Sequence, residues 1–108
     1  MFEFVGRVEI AVFGVAPYEN YTNLLIFDKE FGGGSALEHQ NSHLGIYTPF
    51  IIGNPVLPSI TAHEIFHLWN VKRMRPVELG PFDYENEVYT RSLWIAEGFT
   101  SYYGPLGI

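Results

Sequence analysis

The sequence predicts an α+β fold, short apolar strands followed by two helices, and three observations carry that reading. The segment His63-Glu64-Ile65-Phe66-His67 sets two imidazoles four positions apart with a carboxylate beside the first. A single acid, Glu97, interrupts the apolar run from Leu93 to Phe99. Upstream, Tyr21–Phe27 is a short stretch of large apolar residues of the kind that forms a buried strand. Composition agrees with this. At 108 residues, 47% hydrophobic and 17% aromatic, the chain can form one small domain with a modest core.

Taken in order, Phe4–Phe13 spaces Val5, Val8 and Val12 as a helix would. Its β-branched content also permits a strand, and we read the end of a helix closed by Gly14. Pro17–Asn20 is a turn, and Tyr21–Phe27 is the buried strand. Phe31-Gly32-Gly33-Gly34-Ser35 reads as a flexible loop; it lacks the strand-loop-helix setting of a phosphate motif, which excludes nucleotide binding. Ser42–Phe50 alternates imperfectly, as an edge strand does, and Gly53–Pro58 is a loop. A first helix runs from Ser59 to about Val71, and Met74–Tyr89 is an irregular, Pro-rich connection. Thr90 then caps a second helix through Tyr103, in which Trp94 and Ile95 read as core. Two starts compete for the first helix. Thr61-Ala62-His63-Glu64 fits a capping box that reduces Glu64 to a cap, whereas Ser59 is an earlier N-cap that brings His63 further into the helix.

The residue types at these spacings suit metal chemistry. A helix turns about 100° per residue, so positions four apart stand about 40° from each other and roughly 6 Å along the axis. His63 and His67 can then reach one ion, with Glu64 on the same side but offset from the pair. Glu97 is the natural third ligand, because a lone acid in an apolar run is costly unless paired or metal-bound. Two His and one Glu form an established catalytic zinc set, with a fourth place left for water. Zinc lowers the pKa of water to about 7 and polarises a carbonyl. Glu64 would serve as general base and pass the proton to the departing nitrogen of an amide. The five-residue motif alone also occurs by chance in helices without metal; the pairing with Glu97 is what lifts it.

Twelve acids against six bases leave a charge of −6, without the basic field that nucleic acid requires. Lys72-Arg73-Met74-Arg75 is the basic cluster, expected as a solvated or salt-bridged loop. There is no cysteine, hence no disulfide framework and no thiolate zinc site. No apolar run is long enough for a membrane-spanning segment. The first residues lack the pattern of a signal peptide, and both ends read as cuts through a longer chain. Residues 1–108 are expected to be a fragment of a single catalytic domain whose remaining parts belong to the parent chain.

Ala62-His63-Glu64-Ile65-Phe66-His67-Leu68-Trp69-Asn70-Val71-Lys72-Arg73-Met74-Arg75-Pro76 closely resembles the signature of the glycyl aminopeptidase family of zinc peptidases, whose members commonly carry a PDZ domain. The likeness continues through Gly80–Tyr84 and Tyr89–Arg91 into Leu93–Tyr103. Gly33–His39 with Asn41 and Ser42 is similar to the family's Gly-Gly-x-Glu-His segment. The resemblance implies a thermolysin-like zincin (gluzincin) fold, a small mixed sheet whose edge strand holds the substrate backbone, followed by two ligand helices. It implies one zinc ion on His63, His67 and Glu97, with Glu64 as base, in an aminopeptidase removing small N-terminal residues from peptides. It also implies that Glu38 binds the substrate's α-amino group, against the plainer reading of a solvated loop acid. His39 and His43 are expected at the surface or behind the ligands. Two features depart from the pattern. The oxyanion-stabilising Tyr or His normally lies well downstream of the third ligand, and Tyr102 and Tyr103 read as packing residues. Position 101 is Ser where related proteins often orient a zinc histidine with a carboxylate. The fragment is therefore expected to bind zinc yet hydrolyse peptides poorly or not at all. Two alternatives stand, a thermolysin-type endopeptidase and a non-catalytic zinc or peptide-binding module; the intact Glu64 speaks against the second.

Overall fold

Helix α1 (Phe2–Phe13) opens the computed structural model, which describes residues 1–108. Gly14 closes it with φ 77°, its N–H returning to the Ile10 carbonyl at 2.7 Å. That left-handed turn suits glycine because it has no Cβ to clash. Three strands follow, β1 (Thr22–Phe27), β2 (Gly34–Glu38) and β3 (Ser42–Tyr47), in the spatial order β1-β3-β2. Strand β3 runs parallel to β1 and antiparallel to β2, so the sheet is mixed. Its register sets Glu38 opposite His43 and Thr22 opposite Ser42. Helices α2 (Val56–Phe66) and α3 (Leu93–Tyr103) complete the α+β arrangement.

The core lies where α1 meets α2 and the turn after it. Val5, Ala62, Ile65, Leu68 and Trp69 are buried there, with Ile10, Phe13, Tyr18 and Tyr21 packed around them. The Phe13 and Trp69 rings stack at 4.4 Å between centroids, which closes the top of this cluster.

Several expectations are corrected. Strand β1 is not buried: Leu24, Ile26 and Phe27 are exposed, because β1 is an outer strand with one face open. Strand β3, expected at the edge, is central. Its inward face carries His43, Gly45 and Tyr47, and two of those three residues break the apolar alternation that marks such a strand. The Tyr47 ring lies over Gly45, where an added Cβ would stand 2.4 Å from the ring. The glycine-rich loop ends at Gly33, since Gly34 and Ser35 already pair with β3. Helix α2 begins at Val56, whose N–H donates to Asn54 Oδ1 at 2.9 Å, and Pro58 is tolerated in its first turn. Neither Ser59 nor Thr61 caps it, for both hydroxyls donate backwards to the Pro55 and Leu57 carbonyls. Glu64 is thus outside any capping box. The helix also ends earlier than expected, at Phe66, with His67 in the turn that follows. At the second helix Thr90 Oγ1 accepts the Ser92 N–H and α3 starts at Leu93. Trp94 and Ile95 are exposed rather than core, because α3 buries its small residues, Ala96 and Thr100.

Candidate active site

The last turn of α2 presents His63 and Glu64, and His67 follows directly. Helix α3 is brought to them by small side chains and one hook. Asn70 Nδ2 lies 3.1 Å from the Ile95 and Ala96 carbonyls and from Thr100 Oγ1, fastening α3 to the turn after α2. Gly104 completes the approach: a Cβ there would meet His63 Cα at 3.1 Å and the Ala62 carbonyl at 3.2 Å. Asn70 was not singled out by sequence reasoning; its polar side chain on a turn between apolar residues was the available signal.

This docking gathers three donor atoms. His67 Nε2 lies 3.0 Å from His63 Nε2, His63 Nε2 lies 3.1 Å from Glu97 Oε2, and His67 Nε2 lies 3.6 Å from Glu97 Oε1. Ligands about 2.0–2.1 Å from a tetrahedral ion stand about 3.3 Å apart, so the spacing fits one divalent cation. The outer partners fit as well. His67 Nδ1 donates to the Asn70 carbonyl at 2.9 Å, which leaves the Nε2 lone pair turned inward. Ser101 Oγ lies 3.4 Å from His63 Nδ1. With both Nδ1 atoms protonated, two lone pairs face each other at 3.0 Å, a repulsion that a bound cation removes. Burial holds the His63 imidazole below its ordinary pKa, and His67 adds to this, while Glu97 and Glu38 oppose it.

Glu64 is buried, with Oε2 unpartnered. Burial pushes its carboxyl up to about 7, and the charges of Glu38 and Glu97 add to the rise. Glu38 is the last residue of β2, not a loop acid, and it is only half-buried. Its carboxylate, that of Glu64 and a His67 ring nitrogen all lie within 4.8 Å of one another. The five residues named from the sequence therefore converge on one place. A groove of about 370 Å³ lined by Ser59, Ile60, His63, Glu64, Ser101 and Pro105 opens beside them.

The other residues singled out in the sequence take mixed positions. His43 is fully buried against Tyr21, whose hydroxyl is 3.0 Å from Nδ1, and burial lowers its pKa to about 4. His39 is half-buried. The basic cluster, expected as a solvated or salt-bridged loop, is salt-bridged at Lys72, which is buried with its Nζ 4.0 Å from Glu38 Oε1, while Arg73 and Arg75 are exposed and donate to the carbonyls of Leu68, Pro17 and Lys72. Tyr103 stacks along Phe66 and Phe99, with Tyr102 edge-on to it, as expected of packing residues.

Residues 57–108 match the family described as M61 glycyl aminopeptidase. A crystal structure of an aminopeptidase N family protein from Idiomarina loihiensis is similar at 31% identity and a TM-score of 0.83, over 93% of this chain and 18% of that one. The chain thus spans under a fifth of that protein's length. No curated protein matches the chain. Through the segment that bears both histidines and Glu97, the chain is similar to the M61 glycyl aminopeptidase family of peptidases.

Proposed function

We propose that this chain is the metal-binding portion of a thermolysin-like catalytic domain that hydrolyses peptide bonds with one zinc ion. His63, His67 and Glu97 hold the ion, Glu64 is the general base, and Glu38 receives the substrate's α-ammonium. The observation that supports this most is the triangle of donor atoms, 3.0, 3.1 and 3.6 Å on its edges, drawn from separate segments of the chain. Zinc bound there supplies Lewis acidity toward water and the scissile carbonyl.

The chain's own residues supply the rest. Glu64, poised at about 7 before any metal binds, takes a proton from the attacking water as the new C–O bond forms. The same carboxyl gives that proton to the amine nitrogen as the C–N bond breaks, so no covalent enzyme intermediate is needed. Glu38, beside Glu64, places a negative charge where the ammonium of an N-terminal residue would lie, which favours aminopeptidase cleavage of peptides with small first residues. The groove beside Ser59 and Ser101 leaves the site open to water, and Tyr102 and Tyr103 pack elsewhere. The isolated chain therefore binds zinc and turns over slowly.

Metal analysis of the purified chain should find one zinc per molecule, removable by chelator. In the parent protein, Glu64→Gln should retain that zinc and lose at least about a hundredfold in kcat. Unchanged activity in E64Q would refute the catalytic assignment. Hydrolysis of free but not N-acetylated peptides is expected from the same protein, and equal cleavage of both would return the site to an endopeptidase.

A further inference from the structure

We propose that Lys72 is the positioning residue for Glu38, holding its carboxylate at the metal-proximal end of β2 so that it can receive a substrate ammonium. The inference rests on the role given to Glu38 above. Lys72 is an unusual lysine: its side chain is 3% exposed, and its Nζ lies 4.0 Å from Glu38 Oε1. The ring of Phe82 stands 4.1 Å from that Nζ and the ring of Tyr84 5.6 Å. Two ring faces and a carboxylate form a box for an ammonium, and its cation comes from the chain itself.

The backbone of Lys72 is tied on both sides. Its N–H donates to the carbonyl of His67 at 3.0 Å, and its own carbonyl accepts from Arg75 Nη1 at 2.6 Å. These ties fix the Lys72 backbone relative to His67, and burial with the Phe82 ring at 4.1 Å holds its ammonium. Glu38 needs such an anchor. Its carboxylate lies close to that of Glu64, and two like charges at that separation push apart. Left alone, Glu38 would turn outward to water from the strand end. Lys72 offsets that repulsion with its positive charge 4.0 Å from Oε1. The 4.0 Å separation is looser than a direct hydrogen bond, so Glu38 keeps lone pairs for a second ammonium. Displacement of Lys72 by the substrate is disfavoured by its burial and by both backbone ties. A purely structural cross-link has no need of a buried charge here, since an apolar side chain would fill the same space.

The test uses the zinc-loaded chain and two ligands, glycine hydroxamate and N-acetylglycine hydroxamate, titrated by calorimetry. Both can bind zinc, and only the first offers an ammonium. Wild type should prefer the free amine by about tenfold. Lys72→Met should bring that ratio close to one with zinc affinity unchanged, and Lys72→Arg should keep it to within about threefold. Glu38→Gln should abolish the preference too, and the double variant should lose no more than either single one. A K72M chain that binds zinc and keeps the wild-type ratio overturns the role of Lys72 while leaving Glu38 its own. Retention of the ratio in E38Q overturns both. Failure of the wild-type chain to bind zinc overturns the site on which they depend. Should K72M not fold, Phe82→Leu removes a ring face but no charge; a loss of preference supports the box and an unchanged ratio refutes it.

Discussion

Glu9 shows how much one side chain can carry. It lies on the buried face of α1 with Val5 and Gly6, fully buried, and neither carboxylate oxygen has a partner. Burial raises its pKa from 4.5 to about 8. A raised acid favours the protonated form, so the folded state binds more protons than the unfolded one between those values. Stability is thus fullest below about 4.5 and falls as pH rises toward about 8, by about 1.4 kcal/mol per unit. His43 acts in the opposite sense. Its pKa, lowered to about 4 by burial, contributes stability that is present above about 6.5 and is lost as pH falls. The difference between Glu9→Gln and wild type isolates the first effect. Thermal unfolding should show E9Q near parity at pH 4 and clearly more stable at pH 8.5; parallel curves throughout would mean Glu9 is not desolvated.

At the scale of elements, the site depends on how α3 docks against the turn after α2. Helix α3 buries little beyond Ala96 and Thr100, so its position depends heavily on Asn70 and on the close approach of Gly104. Asn70→Ala keeps the backbone carbonyl that orients His67 but removes the hook that holds Glu97 in range. Zinc affinity should drop about 10–100-fold, measured by competition with a chromophoric chelator, with the α2–α1 core intact. Unchanged affinity would show that metal binding alone positions α3. The sheet tells a related story. Gly45 lets the Tyr47 ring lie over it, so the inner face of β3 is covered at that point by the strand's own residue two positions along.

Over the whole molecule, much apolar surface remains uncovered. Trp94, Phe99, Tyr102 and Tyr103 share the open side of α3, and Leu24, Ile26, Leu37 and Leu44 stand exposed on the sheet. Contiguous patches of this kind drive association. Sedimentation velocity of the isolated chain should therefore show concentration-dependent self-association, diminished by Trp94→Glu with Tyr102→Glu and with zinc content unaltered. A monomer across the accessible concentration range would rule this out.

Local chemistry made some of this protein readable from its residues alone. Gly14 as a helix stop, the α+β order of elements, and His63, Glu64, His67 and Glu97 as metal-site candidates follow from spacing and residue type, which a linear chain carries in full. The Glu38 role came from resemblance to a family, not from spacing. Tertiary structure decided the rest. Whether β3 lies at the centre or the edge depends on which strands flank it, and Gly45 and His43 hid its burial from any hydrophobic count. Whether Trp94 is core or surface depends on which face of α3 meets Asn70. Lys72 and Glu38 are far apart in sequence, so their meeting under an aromatic lid is a product of β2 ending beside the turn after α2. Burial and pairing arise from contacts between distant segments, and only the folded chain brings those together.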